Sequence, residues 1–399
     1  MASKRVRVLV LGGRLTPSLV AVLSDPPDAI EFIVSRDTPE RYEQARSVLA
    51  EPLENQLPAS PLPAVSPFDW EECQERCRRA VERHAGAEII FDVTTAPKFM
   101  SFAVEAFARS HGHEAVVVDT AGAREFSLIT QQSRPVAFPR KVEEYLGLFG
   151  RQLRPSPAFV LTSLSIGEQQ ACQVARQLAL GGEAATRALN KFNRWNPGRH
   201  GAQSTSKDHD ATTDQEEFAV FRMLAEHGLI TALQRGADGT TGYRTSQNPA
   251  DTQFVAGRWL EVYVWDVARS LRDKITGESL FSDCHMGFEI PDESGQKREV
   301  DVGCIYQGQF IHCSCKAKVP KESFNKDNLD QMAGVSALLG GDFTTRVFVT
   351  NAFQPYDADQ WMFARHAEKL KVVLVTGEDL PQIDEILRDQ AVEPKYARI

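Results

Sequence analysis

Short apolar segments alternate with longer amphipathic segments over residues 1–150 of the chain. The apolar segments are rich in Val and Ile and bounded by turn residues, which is typical of buried strands. Two of the amphipathic segments begin with Thr-Pro, at Thr16 and Thr38, where Thr suits an N-cap and Pro suits the first helical turn. This alternation predicts an α/β domain with a mostly parallel sheet covered by helices on both faces. The strand-like segments are VRVLVLG, IEFIVS, EIIFDVT and EAVVVDT.

The pattern changes at Arg151, where helical and polar segments replace the strands. The segment SIGEQQACQVARQLALGGEAATRALNKFNRW has the spacing of an amphipathic helix. The stretch after it, NPGRHGAQSTSKDHDATTD, is rich in Gly, Ser, Thr and Asp and predicts a mobile loop. A short amphipathic helix and a small hairpin in LQRGADGTTGYRT follow. We therefore predict a helical connector over residues 151–250.

The last part of the chain, residues 251–399, has a different order of elements. A helix precedes three strand-like segments, CHMGFEI, REVDVGCIY and QFIHCSCKA, and Gln307-Gly308 predicts a tight hairpin between the last two. A helix with a C-cap signal at Gly340-Gly341, the strand TTRVFVT, a further helix and the strand KVVLVTG follow. This order predicts a second α/β domain. The first helix has apolar residues at helical spacing at Leu260, Val264, Val267 and Leu271.

Composition restricts the class of protein further. A chain of 399 residues with 42% hydrophobic residues is long enough for two or three domains, each with its own core. Because no run of about 18 apolar residues occurs, we expect no membrane span. Seven cysteines, unevenly spread, and an N-terminal segment that reads as a first strand favour a cytoplasmic protein. The net charge of −9 argues against a generally basic nucleic-acid-binding surface but permits a local basic groove.

The segment FIHCSCKAKV places two cysteines and a histidine close together, as a zinc site does. Strand alternation predicts that Cys313 and Cys315 share one face, whereas His312 and Lys316 share the other. Since free cysteines are commonly buried and the chain contains no C-x-x-C pair, we expect both thiols in the core. Zinc remains the alternative interpretation of this segment.

Acidic residues accompany Lys316. Asp301 and Glu299 lie on the preceding strand, on the lysine face, and Glu261 lies on the helix before it. Carboxylates hold a divalent ion that polarises a phosphate and activates a water, and a lysine stabilises the developing negative charge. This combination suits metal-dependent cleavage of phosphodiester bonds.

The order of elements, with EVDV at 299–302, SCK at 314–316 and GRWLE at 257–261, resembles the PD-(D/E)xK nuclease fold. The resemblance implies a catalytic set and a bound Mg²⁺ or Mn²⁺. The catalytic residues that it implies are Glu261, Asp301, Ser314 and Lys316. The metal ligands that it implies are Glu261, Asp301 and the main chain of Cys315.

Ser314 stands where that family has Glu or Asp. The change removes one negative charge and one strong metal ligand. Glu261, Glu289 or a main-chain carbonyl near Cys315 is a candidate replacement, with Glu289 the first suspect if another group completes the site. The alternative is a nuclease fold that has lost its chemistry.

The first domain carries two further motifs, LGGRLTPSLVAVL after the first strand and DVTTAPKFMSFA at 92–103. They resemble the ligand loops of CARF domains, the cyclic-oligoadenylate sensors of type III CRISPR defence, and KVEEYLGLFG resembles the stretch that closes this domain in two-domain CARF nucleases. Thr94 and Lys98 match the family motif, and a hydroxyl-rich turn at a helix N-terminus suits an anion. The spacing of GGRLTPS does not suit a nicotinamide cofactor. The ligand residues that the resemblance implies are Gly12, Gly13, Arg14, Thr16, Thr94, Thr95 and Lys98.

A basic and aromatic patch lies within RALNKFNRWNPGRHG. Lys191, Arg194 and Trp195 are candidates for binding a single strand through phosphate pairing and base stacking. An amphipathic linker helix is the equal alternative.

Taken together, these features predict a cytoplasmic homodimer activated by cyclic tetra-adenylate that cuts DNA or RNA with Mn²⁺ or Mg²⁺. A two-fold ligand suits a two-fold site. The alternative is a cyclic-oligoadenylate sensor whose degenerate nuclease domain binds nucleic acid or a partner. Ser314 is the main support for that alternative.

Overall fold

The structure of the protein is a computed structural model. It describes residues 4–13, 15–120, 122–149, 151–156, 160–195, 213–237, 239–292, 295–317, 324–339, 344–353 and 358–395. Arg14, most of the predicted mobile loop and the Gly340-Gly341 cap signal lie outside the described residues.

The first domain contains a six-stranded sheet of order β2-β1-β3-β4-β5-β6. The pairs among β1 to β4 are parallel, and β5 and β6 add an antiparallel edge. The predicted mostly parallel sheet is therefore present. Its strands are β1 (Arg5–Leu11), β2 (Ala29–Val34), β3 (Glu88–Asp92), β4 (Glu114–Asp119), β5 (Arg124–Ser127) and β6 (Ser133–Pro135).

Helices cover both faces of this sheet because the β1 side chains alternate between two cores. Leu9 and Leu11 pack with α1 and α2, whereas Val8 and Val10 pack with α3 and α4. Helix α1 has its Pro in the first turn as predicted, but Leu15 and not Thr16 occupies the N-cap position. The helices are α1 (Thr16–Ser24), α2 (Glu40–Leu53), α3 (Trp70–Arg83), α4 (Lys98–His111) and α5 (Val142–Leu148).

The middle of the chain is mainly helical, as predicted. The long helical segment is divided into two helices at Gly181-Gly182, where Gly182 has a φ of +58° that favours glycine. The predicted small hairpin is the antiparallel pair β8–β9. The elements here are β7 (Arg154–Pro155), α6 (Glu168–Leu180), α7 (Gly182–Trp195), α8 (Gln215–Glu226), β8 (Ile230–Arg235) and β9 (Thr241–Thr245).

The second large sheet has the order β14-β13-β12-β11-β10-β7. Strand β11 is antiparallel to its neighbours β10 and β12, whereas β13 is parallel to β12 and β14 is parallel to β13. The predicted order of helix, three strands, helix, strand, helix and strand is thus confirmed. Its elements are α9 (Pro249–Gln253), a π-helical turn (Phe254–Arg258), α10 (Trp259–Ser270), β10 (Asp283–Pro291), β11 (Lys297–Tyr306), β12 (Gln309–Lys316), α11 (Lys326–Leu338), β13 (Thr345–Thr350), α12 (Ala358–Lys369), β14 (Val372–Val375) and α13 (Ile383–Val392).

The two sheets share a core. Leu9 and Phe32 of the first sheet belong to the same buried cluster as Phe288 and Phe310 of the second. Tyr145 of α5 joins them, since its ring stacks on Phe310 at 5.2 Å and its hydroxyl donates to the Leu339 carbonyl at 2.9 Å. Through these residues the first domain packs directly onto the second. None of the helices in the described part of the chain combines the length and apolarity that a membrane crossing requires.

Candidate active site and ligand site

The β11–β12 hairpin positions the candidate catalytic residues. Its two-residue turn has positive φ at Gln307 (48°) and Gly308 (78°), as tight hairpins require, and pairing runs from Tyr306–Gln309 to Val302–Cys313. Alternation then places Cys313 and Cys315 in the core with Ile311, whereas His312 Nδ1 lies 3.0 Å from Ser336 Oγ on the other face. The strand interpretation is therefore confirmed for residues 310–316 of this segment, and both thiols pack as small apolar groups.

Asp301 lies just beyond the last pair of that ladder and gathers three donors on one carboxylate oxygen. Its Oδ2 accepts from the Cys315 N–H at 2.7 Å, from Ser314 Oγ at 3.2 Å and from Lys316 Nζ at 3.4 Å. Asp301 and Ser314 are only 5% and 7% exposed. The structure thus brings together Asp301, Ser314, Cys315 and Lys316, which the sequence predicted to form one site.

Asp301 and Lys316 each favour the charged form of the other. Burial by itself raises the pKa of Asp301, but the Lys316 ammonium and the Cys315 N–H outweigh it and lower the pKa overall. The same carboxylate raises the pKa of Lys316 against the effect of burial. Both side chains are therefore charged at neutral pH, as a metal ligand and a phosphate-stabilising lysine must be.

Glu261, in the first turn of α10, faces the same site. Burial and the nearby Asp301 carboxylate raise the pKa of Glu261 to about 8, although the Arg258 guanidinium opposes this shift. Arg258 Nη1 lies 2.8 Å and 2.9 Å from the two Glu261 oxygens and 3.0 Å from Glu299 Oε1. The guanidinium thus joins two carboxylates from different elements.

Arg258 is a residue of this cluster that the sequence analysis did not predict. Its i,i+3 spacing to Glu261 was a usable signal for an ion pair, but the link to Glu299 depends on how α10 packs on β11. Glu299 was placed on the lysine face, and the structure adds that Ser156 Oγ donates to its Oε1 at 3.3 Å. Glu289, the suspected replacement ligand, instead pairs with Lys297 at 2.9 Å.

The donors of this site fit a hard divalent cation. They are carboxylate oxygens and, at Cys315, a carbonyl on the same strand edge as the N–H that binds Asp301. They do not all meet at one point in the present arrangement: among the described His, Cys, Asp and Glu side chains, three ligand atoms within 4.8 Å of one another occur only at Glu143, Asp283 and His285. Oxygen ligands favour Mg²⁺ or Mn²⁺ over softer metals.

The candidate ligand site lies where β1 and β3, neighbouring parallel strands, end at the same edge of the first sheet. Gly12 and Gly13 follow β1, and the Gly13 N–H donates to the Thr95 carbonyl beyond β3. A Cβ on Gly12 would lie 2.3 Å from Pro97 Cδ, so this position requires glycine. The two predicted ligand loops therefore touch, and Lys98 is exposed at the first residue of α4 beside them.

The threonine hydroxyls of this site are engaged within the protein. Thr94 Oγ1 donates to Asp92 and accepts from the Val118 N–H, and Thr95 Oγ1 donates to the Val10 carbonyl at 2.9 Å. Thr16 is buried at 6% exposure. The hydroxyls thus support the loops, which leaves main-chain N–H groups and Lys98 as the groups best placed for an anion.

Asp92 is the organising residue of these loops, and sequence reasoning did not single it out. Its carboxylate accepts from Arg7, from Ser18 Oγ at 3.0 Å and from the Thr94 N–H at 3.0 Å. Arg7 also pairs with Glu125, and all three charged side chains are at most 4% exposed. A buried network of ion pairs and hydrogen bonds of this kind fixes the geometry of both loops.

The basic and aromatic patch is mostly occupied by internal contacts. Trp195 is 9% exposed and stacks on Phe221 with ring centroids 5.9 Å apart, and Lys191 pairs with Glu217 at 2.5 Å. Arg194 is exposed. This arrangement favours the linker-helix alternative over base stacking by Trp195.

We expect Trp195→Ala to destabilise the protein by about 3–5 kcal/mol, because it deletes a large buried ring. Denaturant unfolding measures this loss. Arg194→Ala is the matched control on the same helix and should leave stability unchanged. If Trp195→Ala unfolds like the parent and instead weakens single-strand binding by about 1–3 kcal/mol, the patch is a nucleic-acid site after all.

The fold and the site together define a protein with a Rossmann-like domain, a helical connector and a nuclease-type second domain. Residues 249–393 match the family model described as Card1-like, endonuclease domain. The match runs from α9 to α13 and includes the strands β10 to β14. No curated protein matches the chain.

Solved structures extend the likeness to the whole chain. Can2 from Sulfobacillus thermosulfidooxidans, in complex with cyclic tetra-adenylate, is similar with a TM-score of 0.52 and 17% identity over 99% of this chain and 100% of that chain. Protein VC1899 from Vibrio cholerae has a TM-score of 0.54 and 17% identity over 98% of each chain. These findings confirm the predicted resemblance and fold class.

Proposed function

We propose that this protein is a nuclease of type III CRISPR antiviral defence, activated by cyclic oligoadenylate and dependent on a divalent metal ion. The observation that carries the proposal is the Asp301–Lys316–Glu261 cluster, which lies within the part of the chain that matches an endonuclease domain. The substrate is a phosphodiester bond of DNA or RNA. Similarity to Can2, solved with cyclic tetra-adenylate, supports this ring as the activator.

Asp301, Glu261 and the Cys315 carbonyl would hold Mn²⁺ or Mg²⁺, which supplies Lewis-acid polarisation of the phosphate and an activated water. Asp301 is held in place by the Cys315 N–H and by Ser314 before any ion arrives. Lys316 lies on the same side and stabilises negative charge as it develops on the phosphate oxygens. The low exposure of Asp301 strengthens each of these interactions.

Cyclic tetra-adenylate binds across two copies of the first domain, at the edge formed by Gly12, Gly13 and the N-terminus of α4. A ring with two-fold symmetry fits an isologous dimer axis. The buried core shared by the two domains, which includes Tyr145 and Phe310, is the route by which ring binding biases the nuclease domain.

The test is cleavage of plasmid DNA and of single-stranded RNA in Mn²⁺, with and without cyclic tetra-adenylate. Cleavage that requires the ring supports the proposal. Ring binding without cleavage of either substrate supports the alternative function, a sensor with a degenerate nuclease domain, which the replacement of the family carboxylate by Ser314 favours. Absence of ring binding contradicts both.

We expect Lys98→Ala to weaken cyclic tetra-adenylate binding at least tenfold, a loss of about 1.4 kcal/mol, because it removes a positive charge at a helix N-terminus. Calorimetry measures the change. Arg109→Ala, near the other end of α4 and paired with Glu105, is the control and should bind the ring like the parent. Unchanged affinity in Lys98→Ala would move the ring away from this edge.

A further inference from the structure

We propose that Glu299 supplies the metal-binding carboxylate that Ser314 lacks, and that Arg258 occupies the cation position between Glu299 and Glu261 until the metal enters. This inference rests on the proposed function and specifies the metal-binding set of the same site. It concerns residues that the family motif does not assign.

Ser314 is unable to act as the missing ligand. Its hydroxyl already donates to Asp301 Oδ2 at 3.2 Å, and its short side chain brings no charge. With Asp301 and Glu261 alone, the site has one negative charge fewer than a motif with a carboxylate at position 314. A divalent ion binds more weakly as carboxylate ligands are lost.

Glu299 is the carboxylate best placed to restore that charge. It lies two residues before Asp301 on β11, and strand alternation puts both side chains on the same face. The Glu299 side chain is 34% exposed, so it can reorient without disturbing the packing of the hydrophobic core. Glu289, on the adjacent strand opposite Glu299, is held by Lys297 and lies one strand further from Lys316.

The Arg258 guanidinium occupies the place of a cation between Glu261 and Glu299. One nitrogen, Nη1, lies within 3.0 Å of three carboxylate oxygens that belong to Glu261 and Glu299. Three carboxylates, including Asp301, therefore face two cationic side chains, Arg258 and Lys316. Glu261 and Glu299 thus converge on the Arg258 nitrogen, whereas Asp301 pairs with Lys316. Because the Arg258 side chain is 22% exposed, it has a path to solvent when a divalent ion takes its place.

The test measures Mn²⁺ affinity directly, without nucleic acid, from the electron paramagnetic resonance signal of free Mn²⁺. Glu299→Gln should weaken Mn²⁺ binding at least tenfold, and Ser314→Glu added to Glu299→Gln should restore it to within about threefold of the parent. Glu289→Gln is the matched control on the same face and should not change the affinity. Equal affinity in Glu299→Gln and the parent overturns the proposal.

The same Mn²⁺ affinity measurement tests the role of Arg258 with separate variants. Arg258→Met should raise Mn²⁺ affinity at least threefold, because a competing cation is gone. Arg258→Lys should give a smaller rise in Mn²⁺ affinity. Because this variant keeps the positive charge at position 258, it remains informative if Arg258→Met folds poorly. A fall in affinity in Arg258→Lys would show that the arginine only positions Glu261, and would overturn its assigned role.

The inference and the proposed function fail in different ways. If the parent protein binds Mn²⁺ and cleaves nucleic acid in the presence of the ring, and Glu299→Gln does both equally well, only the inference fails. If the parent binds Mn²⁺ through Glu299 but never cuts, the proposed function fails and the metal site stands. If the parent does not bind Mn²⁺, both are overturned.

Discussion

We expect Asp301→Asn to reduce ring-dependent cleavage by at least about a thousandfold, since it removes the central carboxylate of a metal-dependent site. The asparagine oxygen still accepts from the Cys315 N–H, so the hairpin keeps its geometry. Lys316 loses a buried partner, but loss of the Asp301 charge also lowers the pKa of Glu261, so an anionic Glu261 becomes available near Lys316. A single-turnover assay with saturating Mn²⁺ and ring measures the loss.

Thermal unfolding of Asp301→Asn must show a folded protein for this loss to be informative. Glu289→Gln provides the control, because it neutralises a carboxylate that is paired with Lys297 outside the cluster. Near-parental cleavage by Asp301→Asn would place the reaction elsewhere in the protein.

Lys316→Met should separate chemistry from metal binding. The change removes the ammonium 3.4 Å from Asp301 Oδ2 but keeps most of the apolar stem. We expect the cleavage rate to fall by about 10²–10³, which is typical for loss of one group that stabilises transition-state charge. Mn²⁺ affinity should be unchanged or higher, because the ion no longer competes with a positive side chain.

The two variants therefore make opposite predictions for metal affinity. Asp301→Asn should lose both affinity and rate, whereas Lys316→Met should lose rate alone. A Lys316→Met protein that binds Mn²⁺ poorly would mean that the lysine is needed to assemble the site. In that case its assigned role in charge stabilisation would be wrong.

The sequence predicted those parts of the site that depend on local geometry. The period of two along a strand put Ser314 and Lys316 on one face and the thiol of Cys315 on the other, and no tertiary contact is needed for that inference. The hairpin turn at Gln307-Gly308 fixed the pairing of β11 with β12 and so brought Asp301 to Ser314. The order of the elements then indicated the fold.

Contacts between segments that are far apart in the sequence could not be predicted from such local patterns. The bond from Thr95 Oγ1 to the Val10 carbonyl joins residues 85 positions apart, so the hydroxyl looked available to a ligand. Trp195 was a candidate for base stacking because an amphipathic pattern does not show what covers the apolar face, here Phe221. Strand β7 has only two residues, one of them Pro155, and so gave no periodic signal.

The most direct measurement of the central claim is the cleavage rate of the parent protein in Mn²⁺ as cyclic tetra-adenylate is titrated, with Asp301→Asn measured in parallel. The account predicts that the parent rate rises from near zero and saturates at one ring per two chains. It also predicts that Asp301→Asn binds the ring with parental affinity yet does not cut. Cleavage that is independent of the ring, or equal in the two proteins, would contradict the account.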